Sequence, residues 1–314
     1  MHNGRVSISQ NIDNMPNWNE VLETVQQQNA YDSLRKQYIS KLSKHTGRNT
    51  IIYYSGWLQK PGIAGDFSIT DSDKNGFMAC MYKSKDRERG LDLILHTPGG
   101  DVGATESLID YFHTLYGNNI RTIVPQIAMS GGTLLAVSGS EIIMGAHSSL
   151  GPVDPQFGGM AAQSYIAEFE RACREIALDP SKIAVWQMII GKLNPGFLTL
   201  CERAVEWSTE ILETTLRQNM LKDVQSVDMD KIKRTFVDQK ESKNHSRHIN
   251  RQKAKDAGLV ITDLEKDQKL QDLVLSLHHL LCISFQQTTS AKVIASGAGA
   301  GMACVTHANP VVPN

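Results

Sequence analysis

Leu91-Asp92-Leu93-Ile94-Leu95-His96-Thr97-Pro98-Gly99-Gly100 and, about thirty residues on, Ala128-Met129-Ser130-Gly131-Gly132-Thr133 decide the fold of this chain. Each motif follows a short apolar run, 91–95 in the first case and 120–124 in the second, and each leads into a helix-like segment. The first helix spans 102–116 and is ended by Gly117-Asn118-Asn119; the second, built of small residues, spans 131–139. Glu141-Ile142-Ile143-Met144 adds a further strand. Strands alternating with helices at this spacing predict βαβ units and a buried parallel sheet. Right-handed crossovers then place both loops at the carboxyl edge, where open α/β sheets keep their ligands.

Upstream, the first 16 residues lack periodicity and read as a loose arm. Residues 17–43 read as a helix, with Asn17 as N-cap and Glu20 three residues on. Residues 49–54 form a β-branched and aromatic strand, 59–76 a Pro/Gly/Asp-rich loop, and a helix starts near Phe77 and ends near Gly90. After residue 160 helices dominate, at 163–177, 180–191, 195–221 and 226–235. A polar run covers 238–251, Leu259-Val260-Ile261 reads as a short strand, and 267–288 as a helix. The expected organisation is an arm and helix over 1–44, one α/β domain with a helix-rich second half over 45–295, and a flexible Gly/Ala/Pro tail over 296–314.

The 314 residues suffice for a substantial core, and 41% apolar with 21% charged residues is ordinary for a globular protein. A formal net charge of −1 gives no electrostatic case for nucleic acid or an anionic membrane. Five scattered cysteines, none in a CxxC, read as free thiols of a reducing cytoplasm. No stretch reaches the ~18 apolar residues of a membrane span, and the first twenty residues lack a signal-like apolar run. Asp71-Ser72-Asp73-Lys74-Asn75-Gly76 starts like a calcium loop, but Tyr82 stands where the bidentate Glu would be, so a solvated turn is expected. No zinc-like spacing and no P-loop is present, so neither metal, cofactor nor ATP use is expected.

Ser130 faces a helix N-terminus with Gly131 and Gly132 behind it, which lets a substrate approach the backbone closely. Its hydroxyl suits acyl transfer: the Gly131 N–H and the Gly99–Gly100 turn can supply oxyanion donors. The competing reading is a serine that merely caps the helix. Asp154, between Pro152 and Pro155, is a candidate acid held at the sheet edge, or else a solvated turn aspartate. Among ten histidines, His96 has a strand position that suggests a structural role, and His147, His278, His279, His245 and His248 stay open as bases.

Tyr53-Tyr54-Ser55-Gly56-Trp57, the 92–100 motif, Ala128 to Leu134, and Leu150-Gly151-Pro152-Val153-Asp154-Pro155-Gln156 together resemble the serine dehydrogenase proteinase family. That family is a distant relative of ClpP and of signal peptide peptidase SppA within the ClpP/crotonase fold. The resemblance covers roughly residues 45–295 and implies a serine peptidase with Ser, Asp and His in that chain order. It matches Ser130 to the nucleophile, Asp154 to the acid, and His245, in His245-Ser246-Arg247-His248-Ile249, to the base. His248 stands where the family has proline, which keeps it as an alternative base. An SppA-like Ser–Lys dyad would instead use Lys182 or Lys192, whose other reading is solvated helix charge. A catalytically weak scaffold subunit, and an acyl-CoA-binding crotonase-like protein, are the rival functions. The resemblance further implies a polypeptide substrate and a homo-oligomer.

Overall fold

The computed structural model describes residues 31–84, 86–238 and 245–306. The expected loose arm, the first part of the predicted first helix, six residues of the polar run and the end of the tail lie outside them. In chain order the main elements begin with α1 (Tyr31–Thr46), β1 (Asn49–Ser55), α2 (Asp73–Lys83), β2 (Leu91–His96), α3 (Val102–Tyr116) and β3 (Ile120–Val124). They continue with β4 (Ile127–Ala128), α4 (Gly131–Val137), β5 (Glu141–Met144), β6 (Ser149–Leu150), β7 (Gln156–Phe157) and β8 (Met160–Ala161). Then follow α5 (Ala162–Leu178), α6 (Ile183–Ile190), α7 (Phe197–Gln218) and α8 (Met229–Phe236). The chain closes with β9 (Ile249–Asn250), α9 (Arg251–Ala257), β10 (Ile261–Asp263), α10 (Gln268–Gln287), β11 (Ser290–Ser296) and β12 (Gly301–Val305).

Seven strands form the central sheet in the order β10-β5-β3-β2-β1-β11-β12. From β10 to β1 every neighbour is parallel, as the alternation predicts. At one edge two further strands join the other way, β11 running antiparallel to β1 and β12 antiparallel to β11. Gly301–Val305, part of the predicted tail, is therefore an edge strand. A short sheet, β4-β6-β9, sits beyond the main one.

Alternation along each strand divides the core in two. Ile51, Tyr53, Leu91, Leu93 and Leu95 pack on one face against α2, α3, α4 and α7. Ile52, Tyr54, Ile94, Ile123 and Ile143 pack on the other, against α1 and α10. The second face also receives the polar side chains of β2. Asp92 is 1% exposed and sits between Arg48 and Arg121, whose Nε atoms both donate to Oδ1 at 2.8 Å. The Arg121 Nη2 donates to Oδ2 at 3.0 Å, making a forked pair that ties β2 to β3.

His96 occupies the end of β2 on this face, fully buried. It stacks on Tyr54 with centroids 5.1 Å apart and meets His278 of α10 edge-on at 5.3 Å. Its Nδ1 lies 3.1 Å from the Ser55 carbonyl and its Nε2 3.0 Å from the Gln126 amide. The structural role suggested by the strand position holds. Burial pushes the His96 pKa down to about 4 against an ordinary 6.5. Burial, with His96, His279 and His147 nearby, also holds His278 well below its ordinary value. Unfolded, His96 takes up a proton below pH 6.5; folded, it refuses one until about pH 4. Stability is thus full above pH 6.5 and falls as pH drops through that window, by about 3 kcal/mol from His96 alone. Urea unfolding midpoints measured across the window should show this slope, and His96→Gln should flatten it.

Candidate active site

The Ser130 turn begins where β4 leaves the sheet. Thr97, just past β2, pairs with Ala128 through Thr97 N–H to Ile127 O at 3.2 Å and Met129 N–H to Thr97 O at 3.0 Å. Ser130 then takes φ 50°, ψ −120°. Gly132 N–H donates to Met129 O at 2.7 Å, closing a type II′ turn with Ser130 at the position that favours glycine. Among the described residues Ser130 is the single non-glycine with positive φ. Such a backbone costs about 1–3 kcal/mol and holds only where neighbours enforce it. Although Ser130 is the N-cap of α4, its hydroxyl makes no cap hydrogen bond, so the capping reading does not account for it. The side chain is half-buried and lines a cavity of about 710 Å³.

The two glycine pairs explain the closeness of the loops. Gly99 has φ +95°, and a methyl there would sit 2.6 Å from Met129 O and 2.7 Å from Ser130 Cβ. A methyl on Gly131 would sit 2.6 Å from Thr105 Oγ1 and 3.4 Å from the Gly100 nitrogen. The Gly99 N–H is donated to Thr97 Oγ1 at 3.1 Å. Ile69 N–H goes to Gly99 O at 2.8 Å and Asp101 N–H to Ile69 O at 2.9 Å, a parallel bridge centred on Gly100. That bridge uses the groups on either side of Gly100, so the Gly100 N–H itself turns the other way. Gly131 N–H is at the first position of α4, where no intrahelical acceptor exists.

Asp154 is placed from the other side. Thr133 Oγ1 on α4 lies 2.9 Å from the Gly151 and Ala128 carbonyls and accepts from Gly151 N–H at 3.0 Å. Val153 N–H donates to Phe236 O at 2.8 Å, fastening the loop to α8. Far from being a solvated turn residue, Asp154 is 1% exposed. Its Oδ1 accepts from His245 Nδ1 at 2.8 Å and its Oδ2 from Gln156 Nε2 at 2.8 Å. His245 is about a quarter exposed and opens onto the same cavity as Ser130.

Ser130, Asp154, His245, Gly99, Gly100 and Gly131 therefore converge. The alternatives do not. His248 is exposed and does not line the cavity. Lys182 is exposed and bound to Glu175 at 3.3 Å; Lys192 is exposed, and neither reaches the cavity wall. His147, His278 and His279 belong to the far side of the sheet around His96. Gln156 and Thr133 stand inside the sequence motifs, and only the folded chain shows Gln156 holding Asp154 and Thr133 holding Gly151 of the same loop. Leu200, Arg203 and Trp207 of α7 wall the cavity, a long-range contact with no local signal.

Around the cavity, a mostly parallel α/β sheet presents a serine on a strained strand-to-helix turn, with a buried Asp–His pair beside it; this is the arrangement of a ClpP-like serine-centred protein. The chain belongs to the ClpP-like SDH-type serine proteinases, matching that family over residues 23–190, more than half its length. Ser130 and Asp154 fall within the match and His245 beyond it. Two uncharacterized proteins of Methanocaldococcus jannaschii are similar. One is 39% identical over 115 residues, covering 37% of this chain and 40% of the relative. The other is 39% identical over 106 residues, covering 31% and 35%. The chain thus spans well under half the length of these relatives. Among the described residues no helix is long and apolar enough to cross a membrane.

Proposed function

We propose that the protein is an ATP-independent serine peptidase that cleaves peptide bonds through an acyl-enzyme on Ser130. His245 takes the hydroxyl proton and returns it to the leaving amine. Asp154 fixes the Nδ1–H tautomer and stabilises the imidazolium. The Gly100 and Gly131 N–H groups receive the oxyanion, each worth roughly 3–4 kcal/mol; the Gly99 N–H, engaged by Thr97, shapes the turn instead. Water then releases the acyl group. The observation that carries this reading is the 2.8 Å contact between buried Asp154 and His245 on the wall of the cavity that holds Ser130.

A homo-oligomer belongs to the same proposal. It is supported by α6, whose Ile183, Val185, Met188 and Ile189 are exposed. A cytoplasmic location is supported by five cysteines that are all free thiols. A fluorophosphonate probe should label the wild type and leave Ser130→Ala unlabelled. Equal labelling of both proteins would end the proposal.

A further inference from the structure

Lys292 on β11 and Asp73 at the start of α2 form an ion pair at 2.6 Å with both side chains fully buried. The calcium-like loop thus contains a core residue where a solvated turn is expected. The Lys292 Nζ also donates to the Ser68 carbonyl at 2.8 Å and meets Asp66 Oδ2 at 3.1 Å. The other oxygen of Asp73 accepts from Thr70 N–H at 3.0 Å and from the Tyr53 hydroxyl at 2.8 Å. Burial raises the Asp73 pKa, and the contacts with Lys292, Thr70 and Tyr53 oppose that rise.

The pair grips a short segment at Asp66, Ser68 and Thr70. Between the last two lies Ile69, the residue that bridges Gly100 through the Gly99 carbonyl and the Asp101 N–H. A methyl on Gly100 would sit 2.2 Å from Ile69 N, so the two backbones lie in close contact as well as being hydrogen-bonded. Desolvating two charges is expensive, and apolar residues of similar volume commonly serve stability as well or better. Stability alone therefore gives no reason for this pair.

Building on the peptidase reading, we propose that Lys292 is a positioning residue which, through Asp73 and the 66–70 segment, fixes the Gly100 N–H in the direction the oxyanion requires. It lies outside the cavity and takes no proton in the reaction. A small rotation of the Gly100 peptide weakens a bond that forms fully only in the transition state, so its loss falls on kcat.

The test compares wild type, Lys292→Met and the double variant Lys292→Met/Asp73→Asn, which leaves no unpaired buried charge if the single change fails to fold. Hydrolysis of a peptide ester by a folded variant should show kcat lowered about ten- to a hundredfold. KM should stay within threefold. Amide hydrogen exchange should rise at least tenfold over residues 97–102 and stay unchanged over β3. Wild-type kcat in a folded variant with unchanged exchange at 97–102 overturns the inference. So does faster exchange spread evenly over all strands, which signals only lost stability. A wild type that the fluorophosphonate does not label defeats the peptidase reading, and the exchange comparison still decides whether Lys292 holds Gly100.

Discussion

Ser130→Ala is expected to lower kcat for peptide or ester hydrolysis by at least about 10⁴-fold, with folding and KM nearly unchanged. The methyl side chain accepts the same φ 50°, ψ −120° turn that serine occupies and loses only the attacking oxygen. Ser130→Gly is equally inactive, and its stability carries the more informative signal. Glycine reaches positive φ without steric cost, while its greater freedom in the unfolded chain takes back part of the gain. The net expectation is a glycine variant about 1 kcal/mol more stable than the alanine variant. That difference corresponds to a rise in Tm of roughly 1–2 °C in calorimetry for a chain of this length. The inactive but more stable variant would show that the strained turn is kept for the hydroxyl it presents. A glycine variant less stable than alanine would mean that the turn holds no strain worth relieving, and the geometric case for a presented nucleophile would lose its basis.

Much of this arrangement is legible in the sequence because its signals are local. The apolar runs of β2 and β3, each followed by a glycine pair and a helix, can hardly be read otherwise than as two βα units. Gly99 and Gly131 are visible as glycines, and the closeness of their loops follows from adjacent parallel strands. The less legible parts depend on partners distant in the chain. Asp154 reads locally as a turn residue between prolines; its loop is pinned by Thr133 at Gly151 and by Phe236 at Val153, and its carboxylate meets His245, all partners from other parts of the chain. Asp73 likewise resembles a solvated turn residue until Lys292, more than two hundred residues away, is folded against it. The antiparallel edge escapes for another reason. β11 carries a buried lysine in an otherwise apolar run, and β12 alternates exposed and half-buried residues in a Gly/Ala-rich stretch, so neither has the periodicity that marked β2. In the sequence only the family resemblance favours His245 over His248, because three residues of spacing cannot separate them. In the folded chain one ring meets a buried carboxylate and the other faces solvent.

Asp154→Asn should lower kcat by about 10⁴-fold, close to 5.5 kcal/mol of transition-state stabilisation, with little change in KM. The reason lies in the two bonds the carboxylate accepts. Gln156 Nε2 donates to one oxygen and His245 Nδ1–H to the other. An asparagine offers one acceptor and one donor to these two donors. When its carbonyl stays with Gln156, its NH₂ faces His245 and demands an acceptor at Nδ1. The ring then carries its proton on Nε2, the nitrogen that must be free to receive the Ser130 proton. The fold should persist, because asparagine keeps the volume of the buried aspartate. His248→Ala, Lys182→Ala and Lys192→Ala should each leave kcat within about twofold, since none of the three side chains reaches the cavity. Steady-state kinetics on this set separates the candidate bases cleanly. An Asp154→Asn enzyme within tenfold of wild type would remove the carboxylate–imidazole pair from the mechanism. A lysine replacement that silenced hydrolysis in a folded protein would transfer the base to an amine.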